Sequence, residues 1–95
     1  MKIRTTWHIQ EKLAKKHKID VAEVEEALNN DDDIYIQKGK FGSSFIYSRT
    51  EAGRYLFTIA MVNWQIREAF IVTSRDMTKR EKTFYHRKKS PWKKR

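Results

Sequence analysis

The side chains best placed to do chemistry in this sequence are cations. Arg49, Arg54, Arg67 and Arg75 punctuate its second half, and residues 74–95 hold ten lysines and arginines against only Asp76 and Glu81. Residues 1–73 are nearly balanced, with eleven Lys/Arg and ten Asp/Glu. A near-neutral body with a basic C-terminal fifth points to a polyanion, most simply nucleic acid. The plainer alternative is a solvated charge run that binds only non-specifically. Other chemistries find little support. Without cysteine, disulfide scaffolds, thiolate metal sites and cysteine nucleophiles are excluded. His8 and His17 are nine apart, and no acidic partner stands at ligand spacing to them or to His86, so no metal is expected. Neither a Gly-rich phosphate loop nor a G-x-S-x-G elbow occurs, and no cofactor is expected.

These cations must be held by one small domain. Ninety-five residues and 11.5 kDa support a single modest core. The reading is one domain over 1–88 and a flexible basic tail over 89–95, where only Trp92 is apolar. No apolar run is long enough to span a bilayer and no signal peptide opens the chain, so a soluble, cytoplasmic protein is expected.

The hydrophobic period is helical at both ends and two in the middle. Ile9, Leu13 and His17 share one face of a helix over 8–17. A second helix over 20–29 opens with Asp20 and Glu23 at capping-box spacing, and Ile19 and Val24 are placed to staple it. Strands are predicted at Ile34–Lys38, Ser44–Arg49, Arg54–Val62 and Gln65–Thr73, the last two joined by a two-residue turn at Asn63-Trp64. A last helix starts near Thr78, whose spacing to Glu81 repeats the capping box, and runs to about Lys88 before Ser90-Pro91. The fold class is α+β: two N-terminal helices, a four-stranded antiparallel sheet, a C-terminal helix and the tail. The two N-terminal helices are expected on the sheet face bearing Tyr55, Phe57, Ile59, Phe70 and Val72.

Strand parity sorts the arginines. A four-residue turn after Arg49 would set it opposite Arg54, and all four arginines would then line one side of the sheet. Like charges so placed repel unless an anion or carboxylate lies between them, which hints at an anion site. The same register sends Phe45 and Tyr47 to the arginine face. They would stack on bases or be covered by the last helix; or else the turn is odd in length and Arg49 flips.

The segments TWHIQEKLAKKHKIDVAEVEEAL, YSRTEAGRYLFTIAMV and IVTSRDMTKREKTFYHR together resemble the BrnT toxins of the RelE/ParE-like superfamily, over roughly residues 5–87. The shared positions are Trp7, Lys16-His17, Arg49-Thr50, Gly53-Arg54, Arg75, Met77-Thr78, Glu81 and Tyr85. The sequence departs at His8, Lys18, Ser48 and Ser74. The resemblance implies a RelE-like fold and the toxin of a type II toxin–antitoxin pair. It further implies metal-independent endoribonuclease activity on mRNA and a hetero-oligomer with a cognate antitoxin, a small DNA-binding protein.

Such cleavage uses the RNA's own 2′-OH against the neighbouring phosphate, and asks for a proton acceptor, cations and an acid for the departing 5′-oxygen. Arg75, Arg49, Tyr85 and His17 are the catalytic candidates, with Arg54, Arg67, Arg80, Lys88 and Lys89 as RNA-binding residues. Each has a structural alternative. Arg75 could be a charge flanking a helix, and Arg49 and Arg54 could merely alternate outward. Tyr85 could dock the last helix together with Phe84, and His17 could balance a helix dipole. Trp7 is expected in the core or docking its helix. A non-catalytic nucleic-acid-binding module would use the same cations. A third alternative is an interaction protein whose basic surface meets an acidic partner.

Overall fold

Side-chain caps fix where the helices begin. In the computed structural model, which describes residues 1–30 and 34–89 (Lys89 by its backbone only), Thr6 accepts the Ile9 N–H at 3.2 Å and opens α1, Trp7–His17. Asp20 accepts the Ala22 N–H while Glu23 accepts the Asp20 N–H, closing the expected capping box of α2, Val21–Leu28. Thr78 and Glu81 exchange the same pair of bonds at the start of α3, Lys79–Lys89. The expected tail beyond Lys89, and residues 31–33, lie outside the described residues.

Among the described residues the fold is mixed α+β, with three α-helices and a five-stranded sheet. Strands β2 (Tyr35–Lys38), β3 (Ser44–Arg49), β4 (Tyr55–Asn63) and β5 (Glu68–Asp76) form the expected antiparallel meander. The expectation of four strands is corrected by β1, Lys2–Arg4, which lies parallel to β5 with Ile3 opposite Ala69. A strand with one apolar residue has no readable period, and only its pairing reveals it.

The β4–β5 turn is also longer than expected. Residues 64–67 form it, Arg67 takes a left-handed φ of 52°, and Met61 faces Phe70 rather than Ile66. Val72 is then an extra residue, because Ile59 pairs with Thr73 while Ala60 pairs with Ile71. That bulge switches parity along β5. Ile71 faces one side with Ala60, and Arg75 faces the other with Phe57.

The sheet has two apolar faces, and the helices divide them in the opposite sense to the expectation. Leu13, Ile19, Val24, Ala27 and Leu28 of the N-terminal helices pack on Ile46, Leu56, Ala60, Ala69 and Ile71. Ala60 and Ala69 leave room for two helices to approach closely. The aromatic face belongs to α3. Tyr47, Phe57, Met77 and Tyr85 form a second buried cluster with Tyr35, Phe45, Tyr55, Ile59 and Phe84 around it. Phe70 and Val72, beyond this cluster, remain exposed. Trp7 is 73% exposed, so it belongs to neither core. No described helix is long and apolar enough to cross a membrane.

Candidate nucleic-acid interface

The four arginines do not share a face. Arg49 lies opposite Tyr55, because the turn from Thr50 to Arg54 has an odd number of residues, closed by the Thr50 N–H donating to the Arg54 carbonyl at 2.9 Å. Arg49 therefore joins the aromatic face and Arg54 the opposite one. Arg67 sits exposed in the turn at the far end of the sheet. The one-sided arginine row is corrected by the odd turn, which flips Arg49, and by the bulge at Val72, which sets Arg75 with Phe57.

Arg54 is a clamp. Its guanidinium donates to Asp76 at 2.8 and 3.3 Å, to Glu23 at 3.0 and 3.2 Å, and to the carbonyls of Lys18 and His17 at 3.0 and 3.2 Å. These bonds fasten the end of α1 and the start of α2 to the end of β5. They also hold the Asp76 carboxyl below its ordinary value, with Lys82 and His17 adding to the effect. His17 thus ends α1 on the side opposite the aromatic cluster, where its backbone serves Arg54.

Arg75 is similarly engaged. Two 2.8 Å bonds join it to the Glu81 carboxylate, and its guanidinium carbon lies 4.6 Å from the centre of the Phe57 ring. Those bonds keep the Glu81 carboxyl below its usual range. Nearby, burial pushes the Tyr47 phenol up; Glu81 adds to this and Arg75 opposes it.

Around Tyr55 the cations gather differently. The Arg49 guanidinium carbon is 5.9 Å and Lys82 Nζ 5.4 Å from the ring centre, both within cation–π reach. His86 stands edge-on to the same ring at 5.4 Å and Tyr85 at 6.0 Å. Tyr55 is half-buried, His86 is exposed, and Tyr85 is buried in the α3 interface. β3, β4 and α3 each contribute to this cluster, so its geometry depends on α3 being docked.

Of the expected site residues, Arg49 and Tyr85 meet here, while Arg75 stands on the same sheet face beside Phe57. Arg80 is exposed in the first turn of α3, and Lys88 Nζ lies 5.5 Å from the Phe84 ring and 5.9 Å from Tyr35. The Lys89 side chain lies outside the described residues. Sequence reasoning named none of Tyr55, Lys82 and His86 as a site residue. The spacing of Lys82 and His86, four apart on one helix face, was the available signal. Among the described residues no three acidic or histidine side chains converge as metal ligands.

No protein-family model, curated protein or solved structure matches the chain.

Proposed function

We propose that this protein is a metal-independent endoribonuclease of the BrnT toxin kind, neutralised by a small DNA-binding antitoxin. The observation that carries the reading is the convergence of Arg49, Lys82, His86 and Tyr85 on the Tyr55 ring. A base stacks on Tyr55, and the adjoining phosphate meets Arg49 and Lys82. The 2′-oxygen attacks phosphorus and the bond to the 5′-oxygen breaks. The 2′-OH gives up its proton to the His86 imidazole, the leaving 5′-oxygen takes one from the Lys82 ammonium, and solvent returns the His86 proton to Lys82, so neither side chain is consumed. The products carry a 2′,3′-cyclic phosphate and a 5′-OH. Arg75 acts as a positioning residue in this scheme, since it holds Glu81 and through it the start of α3.

One observation favours a second reading, a nucleic-acid-binding module without catalysis: Arg54 and Arg75 are both already neutralised by carboxylates. Incubating purified protein with RNA and EDTA separates the two. Cleavage with cyclic-phosphate ends, reduced roughly a hundred-fold or more in Arg49→Ala and His86→Ala, supports the ribonuclease. RNA that is bound and never cut, even with ribosomes supplied, supports the module.

A further inference from the structure

A second row of cations lies on the other side of the sheet. His8, Lys12 and Lys16 are four apart along α1 and stack on one helix face, with Lys15 beside them and Lys18 just beyond the helix end. Among the described residues, only Lys15 of the four lysines has a carboxylate, Glu11 at 3.2 Å. Lys12, Lys16 and Lys18 are exposed and form no ion pair with a described residue.

Two features connect this row to the Tyr55 cluster. The Arg54 guanidinium bonds the carbonyls of His17 and Lys18 on one side and Asp76 on the other. Asp76 in turn feels the charges of both His17 and Lys82. Lys18 at the end of α1 and Lys82 beside the Tyr55 ring thus stand on either side of one clamp, in which Asp76 and Glu23 neutralise Arg54.

Lys18 adds an independent sign. Its backbone is left-handed, φ 54° and ψ 40°, in the helix-ending position that glycine favours. A side chain held there against steric cost suggests a use for it. At the other end of the row the exposed indole of Trp7 offers a stacking face.

We propose that α1 is the outer half of one RNA site: the phosphates of an extended single strand follow Lys12, Lys16 and Lys18 around the end of the sheet to Tyr55. This rests on the ribonucleic-acid reading above and adds the class and path of the substrate. An acidic protein is the less fitting occupant. The row is polar throughout apart from Trp7, whereas protein interfaces have apolar centres and nucleic-acid interfaces are cationic and wet.

The test uses fluorescence anisotropy with 2′-O-methyl oligouridylates of four and twelve nucleotides, which offer no 2′-OH for cleavage. The wild type should bind the 12-mer with a steeper salt dependence than the tetramer. Lys12→Ala/Lys16→Ala/Lys18→Ala should lower the 12-mer slope by about 2, at roughly 0.7 per phosphate contact. Between 50 and 200 mM salt the wild type would then lose roughly fifteen-fold more affinity than the variant. Tetramer binding should not change, and arginine at all three positions should keep the slope. Equal 12-mer slopes for wild type and variant, with tetramer binding intact, would overturn the path and leave the ribonuclease reading standing. Failure of the wild type to bind either oligomer would remove both. Displacement of the 12-mer by polyglutamate at equal charge would reassign the row to an acidic protein.

Discussion

Arg75 and Glu81 meet through two parallel N–H···O bonds of 2.8 Å, with the guanidinium stacked on the Phe57 ring. Glu81 also accepts the Thr78 N–H, so one carboxylate both caps α3 and ties it to β5. The aromatic cluster beneath α3, and Tyr55 with it, depends on that carboxylate.

A double-mutant cycle measures the tie. Arg75→Ala leaves the Glu81 carboxylate half-buried without its main partner and should lower stability by about 1–2 kcal/mol in urea denaturation. The lower end is expected because Arg75 is one-third exposed and solvent screens the pair. Glu81→Ala should cost more, since the cap is lost as well. The double variant should recover about 1 kcal/mol relative to the sum, whereas strict additivity would deny any coupling.

Stability should decline in acid. Hydrogen bonds from Arg54 and Arg75 lower the carboxyls of Asp76 and Glu81 relative to the unfolded chain. A lowered carboxyl contributes stability that is complete above the unfolded value, about 4, and is lost as pH falls below it. Urea midpoints measured from pH 6 down to pH 2 should therefore fall mainly below pH 4. Asp76→Asn/Glu81→Gln should flatten that limb; an unaltered limb would place the acid sensitivity elsewhere.

Lys18→Gly should stabilise the fold by about 1 kcal/mol, because glycine reaches the left-handed conformation without a Cβ clash. The Lys18 carbonyl would still accept from Arg54. Thermal unfolding should shift upward while affinity for long RNA falls. A variant that gains nothing would show that the wild-type backbone there is relaxed.

Ser48 is buried, and its hydroxyl has no hydrogen-bond partner among the described residues. Thr58 and Ser74, on the same face, satisfy each other at 2.9 Å. Ser48→Ala should be neutral or stabilising by up to about 1 kcal/mol, whereas Ser74→Ala should destabilise by about 1 kcal/mol. Chemical denaturation of the two variants side by side checks the contrast.

The local code was the legible part. Asp20-Glu23 and Thr78-Glu81 announced two helix starts, and period-two alternation gave β3 its bounds. Longer-range relations were not legible. Both faces of β4 are apolar, so alternation could not say which would meet the N-terminal helices and which α3. Whether Arg49 stood with Arg54 turned on one residue of turn length. The bulge at Val72 reversed the parity that would have placed Arg75. The Tyr55 cluster draws on β3, β4 and α3, and no window of sequence contains it.

The parallel pairing of β1 with β5 orders events as the chain is made. Ile3 can find Ala69 only after all the intervening strands have been synthesised. Until then Ile3 has no strand to pair with and is left with its packing against the core of the N-terminal helices. Closing so large a loop comes late and is entropically costly, so the helices and the β2–β5 meander should assemble first. Joining β1 to β5 is then the step that completes the sheet. A nascent chain stalled before β5 would leave Lys2–Arg4 without the strand they pair with.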